Sequence, residues 1–153
     1  MANFQDILSK TGTSKPPEAL PIGTYLGIID GIPEITKVGK NQTDAVDFSV
    51  KPVQAQPDVV QEDLARVLNG KSLQDKKIRY RLFLTEDAIW RFDRFMHHLG
   101  LIQTNAAGEF VLDRPRSQLI QESMGKQVLL TMGHRPSEDG QQLFGEVKST
   151  ARV

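Results

Sequence analysis

Lys76-Lys77-Ile78-Arg79-Tyr80-Arg81-Leu82-Phe83-Leu84 alternates at the two-residue period of a β-strand, so its side chains separate onto two faces. Ile78, Tyr80, Leu82 and Leu84 form an apolar row suited to a core. Lys77, Arg79, Arg81 and Phe83 form the other row, three cations followed by an aromatic ring. Cations attract phosphates and a flat ring stacks on bases, which is the chemistry of a single-stranded nucleic-acid platform. In isolation the row reads more simply as a solvated strand face whose ring is covered by a neighbouring loop. The rest of the chain decides between them.

Around this strand the chain divides into recognisable pieces. Residues 1 to about 20 read as a flexible N-terminal arm: Phe4, Ile7 and Leu8 suit one short amphipathic turn, and Thr11 to Pro17 suits an extended linker. Residues 21–153 then read as a single domain. Thr24 to Asp30 is a strand, with Gly27 marking a bulge or sharp coil. Ile32 to Asp44 reads as a mobile basic loop carrying Lys37 and Lys40. Ala45 to Lys51 is a second strand, ended or placed at a sheet edge by Pro52. Asp58 is a candidate N-cap for a helix through Leu68, stopped by Asn69-Gly70.

After the basic strand, Thr85 reads as the cap of a second helix, with Glu86 and Asp87 in its first turn. Trp90, Phe92 and Phe95 read as core on that helix, which would plug one end of a barrel. Arg91 and Arg94 fall on its wetter side, Arg91 within pairing range of Asp87. Glu109 to Leu112 suits a short strand and Ser117 to Met124 a short helix. Lys126–Met132 and Gln142–Lys148 are the last strands, joined by a polar loop from Gly133 to Gly140. The expected fold is therefore mainly β with helices (α+β), a five-stranded OB-fold-like barrel with a helix between strands three and four.

The chain has 153 residues, enough for a core without staples. It contains no cysteine, which excludes a disulfide framework, a thiol nucleophile and cysteine-ligated zinc, and suits a reducing cytoplasm. No apolar run reaches membrane-spanning length, and Met1 to Asp6 lacks the pattern of a signal peptide. Nineteen basic residues balance nineteen acidic ones, so any polyanion binding must come from local segregation of charge. Lys71, Lys76, Lys77, Arg79 and Arg81 against Asp75 alone is such a segregation.

Catalytic signals are weak. The acids are scattered, no phosphate-binding glycine loop or nucleophile elbow occurs, and His97 and His98, as helical neighbours, point about a hundred degrees apart. No enzyme, cofactor or metal is expected. The loop at Lys37 to Lys40 and the loop at His134-Arg135 would instead flank the second and third strands of the barrel, the face where single strands lie on OB-folds. Lys51, Arg79, Arg81 and Phe83 would sit between them, and Lys37, Lys40, Lys51, Arg79, Arg81, Arg135 and Lys148 would supply electrostatic contact to the strand. Tyr25 reads equally as core or as a second stacking ring.

Leu20-Pro21-Ile22-Gly23-Thr24-Tyr25 before the first strand, and Met124-Gly125-Lys126-Gln127-Val128 opening the fourth, resemble a phage-encoded family of single-stranded DNA-binding-like proteins. The helix closing at Leu99-Gly100 and the segment Phe144-Gly145-Glu146-Val147-Lys148 extend the likeness over most of residues 20 to 148. The resemblance implies an OB-fold protein that coats single-stranded DNA in phage replication or recombination, in the host cytoplasm, beside phage or host replication proteins and as a homo-oligomer or a monomer. Two departures stand out: Ser149 to Val153 holds no acidic cluster, and the excursion from Pro52 to Lys71 is long. The alternative expectation is a non-enzymatic virion structural or assembly protein on a small β-barrel, its arm adding to a neighbour. An RNA-binding barrel is the third.

Overall fold

The two-residue alternation that marks the basic strand recurs at 23–29 and over most of 46–52. A computed structural model describes residues 4–9, 11–12 and 18–153. In chain order the elements are α1 (Phe4–Ser9), β1 (Gly23–Ile29), β2 (Glu34–Val38), β3 (Thr43–Ala55), α2 (Gln61–Leu68), a 3₁₀ turn (Leu73–Asp75), β4 (Ile78–Phe83), α3 (Ile89–His98), β5 (Gln103–Thr104), β6 (Phe110–Val111), α4 (Arg116–Glu122), β7 (Gln127–Pro136) and β8 (Leu143–Ala151). The expected amphipathic turn of the arm is α1, with Phe4 and Leu8 exposed. Residues 13–17 of the expected linker lie outside the described residues.

The architecture is mainly β with helices, built on a six-stranded antiparallel sheet in which β3 pairs with β1, β2 and β4, β1 also pairs with β7, and β7 with β8. This corrects the expected five-stranded barrel: the sheet does not close, because β4 and β8 do not pair with each other. Between them α3 packs against both strands. His98 Nδ1 meets Thr150 Oγ1 of β8 at 2.7 Å, while Phe95 lies edge-on to Tyr80 of β4 at 4.9 Å and to Phe48 of β3 at 5.0 Å. Phe92, Phe95 and Met96 are fully buried, so α3 seals the core as a plug. Asp93, also buried, is held by both donors of the Arg116 guanidinium at 2.8 Å, which ties α4 to α3.

Three local expectations are corrected. β3 runs through Pro52, which is buried in mid-strand opposite Gly27, where the β1–β3 register shifts. The bulge anticipated at Gly27 tolerates a residue with no N–H to donate. Gly27 is required there because a Cβ would run into the side chain of Val50. Asp58 does not cap α2, which starts at Gln61 with no side-chain cap. It accepts instead from Thr24 N at 2.9 Å and Thr24 Oγ1 at 2.8 Å, pinning the excursion to β1. Asn69 ends α2 in the left-handed conformation, as its pairing with Gly70 suggested. Finally, α3 begins at Ile89 rather than after Thr85, and a turn spans 85–88.

Candidate nucleic-acid interface

The β4 row faces outward as its alternation requires: Ile78 and Leu82 are buried, while Arg79 and Phe83 are exposed and Arg81 is half-buried between them. The register with β3 sets Ser49 opposite Arg79, Asp47 opposite Arg81 and Ala45 opposite Phe83. Asp47 therefore sits under both guanidiniums. Arg81 grips it with Nε on Oδ1 at 2.7 Å and Nη2 on Oδ2 at 2.9 Å, and Arg79 Nη2 donates to Oδ2 at 2.7 Å. The hydrogen bond from Arg81 is the main cause that holds the Asp47 carboxyl down at about 2, against the opposing effect of burial. The Arg81 guanidinium is correspondingly held above its ordinary value. The Asp47 side chain is 11% exposed and that of Arg79 68%, so the carboxylate is sheltered while the outer guanidinium stands in water.

Lys77 closes one end of the row with Nζ at 2.6 Å from Asp30 Oδ2, and its hydrogen bond is the first cause lowering the Asp30 carboxyl. Lys51, on the same face of β3 as Ser49 and Asp47, adds to that lowering from nearby. Glu34 of β2 stands directly across from Asp47. Four cations thus share this face with three carboxylates. An open trough of about 360 Å³ lies at the Lys77–Arg79 end of this face, lined in part by Ile32, Glu34, Asp47, Ser49, Lys77 and Arg79. Phe83, 39% exposed, lies at the far end of the row.

Other expected residues fall elsewhere. The loop anticipated from Ile32 to Asp44 is instead strand β2 and a tight turn at 39–42. Lys37 pairs with Asp44, directly across β3, at 2.7 Å, and by alternation it lies on the opposite face from Asp47 and Ala45. Lys40 is exposed on the turn and makes no ion pair with a described residue. His134 and Arg135 belong to β7, not to a loop, because β7 runs to Pro136; His134 Nε2 meets the Leu20 carbonyl at 2.7 Å. Arg135 and Lys148 gather around Glu146 at 4.0 and 2.5 Å. The Lys148 stem lies over Gly133, where a Cβ would come within 2.5 Å of it. β3, β1 and β7 separate β4 from β8 along the sheet, so this second group is a patch of its own.

Tyr25 is not a stacking ring. It is fully buried, its hydroxyl donates to the Pro21 carbonyl at 2.8 Å, and burial, with Asp58 nearby, pushes the phenol up to about 12. Trp90 moves the other way. It was expected in the core and is 46% exposed, with the guanidinium carbons of Arg94 and Arg91 at 4.9 and 5.4 Å from its ring centre. The signal lay in the spacing: Phe92, Phe95, Met96 and Leu99 complete a three-four-seven stripe that leaves position 90 outside it. The anticipated Asp87–Arg91 pair does not form among the described residues.

No family model matches the chain, and no curated protein matches it significantly.

Proposed function

We propose that the protein binds single-stranded DNA with little sequence preference along the outer face of β3 and β4. The observation that carries this reading is the β4 row: two guanidiniums and a half-exposed ring, evenly spaced on one open face. Strand spacing sets alternate side chains roughly 7 Å apart, close to the step of an extended polynucleotide. Arg79, Arg81, Lys51 and Lys77 supply phosphate contacts and Phe83 a base platform. Asp47 positions the two guanidiniums and offsets part of their charge, so contact with phosphates replaces a pairing that already exists. Lys40 extends the cationic surface from the β2–β3 turn, and Arg135 and Lys148 form a separate basic patch beyond β1.

The strand connections support an OB-fold reading. β1 is shared between the β3–β4 hairpin and the β7–β8 hairpin, with α3 inserted between β4 and β7. On this reading the protein is an OB-fold left open between β4 and β8, without catalytic activity. Its resemblance to phage-encoded single-stranded DNA-binding-like proteins supports a role in phage DNA replication or recombination within the host cytoplasm, beside phage or host replication proteins.

The test leaves the Arg81–Asp47 fork intact, so the fold is kept. Arg79→Ala combined with Phe83→Ala lowers affinity for a labelled thirty-mer of oligo(dT) at least tenfold, since stacking alone is worth about 1–3 kcal/mol per base. A folded double variant with unchanged affinity rejects the face. Competition by a matched RNA oligomer decides between the two nucleic acids. A virion assembly role is the second reading, favoured by the exposed Phe4 and Leu8 of α1. It calls for concentration-dependent assembly without DNA and no shift of any oligonucleotide.

A further inference from the structure

Most arginines of this protein are spoken for. Arg66, Arg79, Arg81, Arg114, Arg116 and Arg135 each hold a carboxylate oxygen within 4.0 Å. Arg91 and Arg94 hold none among the described residues, and both lie against Trp90. The unneutralised guanidinium charge of α3 is thus gathered around an aromatic ring that the core leaves outside. An exposed cation–π contact is worth only about 0.5–1 kcal/mol, too little to explain a large apolar ring kept in water. It leaves both charges without a carboxylate among the described residues, available to an anionic ligand.

The site lies on the helix that packs against β4, a strand whose one pairing is with β3. Tyr80, on the core-facing row of that strand, packs on Phe95 of α3, and Arg94 and then Arg91 oppose the rise that burial imposes on its phenol. His98, further along α3, is pushed down first by burial and then by His97 and Arg94.

We propose that Trp90, with Arg91 and Arg94, is a second contact site for the single strand, stacking a base on the indole while the two guanidiniums take its phosphates. The inference rests on the single-strand reading above and lengthens its path from the sheet face onto α3. It assigns the plug helix a second duty, sealing the core with one side and holding polynucleotide with the other.

Trp90 is the only tryptophan in the chain, so its emission reports this site alone. Titrating the wild-type protein with unlabelled oligo(dT) thirty-mer quenches that emission, saturating at the stoichiometry that a labelled oligomer gives by anisotropy. Trp90→Ala weakens binding about 5- to 100-fold, and Trp90→Phe recovers most of the loss. Arg91→Gln with Arg94→Gln flattens the dependence of log affinity on log salt by about 1.4. Binding by anisotropy with unchanged emission, and a Trp90→Ala variant that binds like wild type, overturns the α3 site while leaving the β4 face standing. Quenching by polyglutamate but not by oligo(dT) overturns it in favour of an acidic protein partner. No binding of the oligomer by either readout removes the single-strand reading itself.

Discussion

Asp47→Asn is expected to move stability and binding in opposite directions. The carboxylate accepts three hydrogen bonds from Arg79 and Arg81, and these hold its carboxyl at about 2 rather than 3.8. A shift of that size corresponds to about 2–3 kcal/mol in favour of the folded state. Arg79 stands largely in water, where pairing is screened, so about 1–2 kcal/mol is the realistic loss. Because the folded value is depressed, the stabilisation is fully present above about 4 and is lost as pH falls through about 2. For a chain of this length the melting temperature falls by roughly 3–6 °C at neutral pH, and the acid branch of the stability profile flattens. Binding changes in the opposite sense. One negative charge leaves the trough, and a unit charge about 4 Å from a phosphate in water is worth about 1 kcal/mol, about fivefold in affinity. Thermal melts followed by circular dichroism and anisotropy titrations of a labelled oligo(dT), each repeated over a salt series, read both effects. A variant that melts earlier yet binds with unaltered affinity and unaltered salt dependence refutes the idea that phosphates approach these two guanidiniums.

Two further expectations concern the scaffold. Tyr25→Phe removes the hydroxyl that serves the Pro21 carbonyl and destabilises by about 1 kcal/mol in urea unfolding, with oligonucleotide affinity unchanged; weakened binding by a stable variant contradicts its place in the core. The same phenol, held at about 12, contributes stability below about 10 that disappears as pH rises from 10 towards 12, so Tyr25→Phe should resist alkaline unfolding better relative to its own neutral stability. Gly27→Ala drives a methyl group into Val50 and destabilises by about 1–3 kcal/mol. Val50→Ala in the same chain recovers part of that loss, and a strictly additive double-mutant cycle contradicts the close approach of β1 to β3.

The sequence made the β4 row legible because alternation needs only the strand itself. Which residue lies under Arg79 and Arg81 needs the β3–β4 register, which no local pattern carries, so the Asp47 fork was invisible. Lys37 misled for the same reason: its partner Asp44 lies directly across β3, and cross-strand pairing turned an expected basic loop into β2. β7 and β8 outrun the core, and where both faces of a ladder meet water the hydrophobic alternation stops. Arg135 therefore read as loop, although β7 runs to Pro136. Pro52 looked like a strand end because its missing N–H is harmless only at a bulge, a feature supplied by Gly27 on another strand. Barrel closure was beyond reach too, since whether β4 meets β8 is a long-range pairing that no local pattern carries. Trp90 is the instructive miss, because its hydrophobicity outweighed a helical phase that placed it outside.

The most direct measurement is anisotropy of a labelled oligo(dT) thirty-mer titrated with wild-type protein, from about 50 to about 200 mM salt. Binding is saturable at low salt; Lys51, Lys77, Arg79 and Arg81 alone give log affinity against log salt a slope of about −3, and Arg91 and Arg94 steepen it to about −4. A folded protein that leaves the anisotropy flat at low salt contradicts the account.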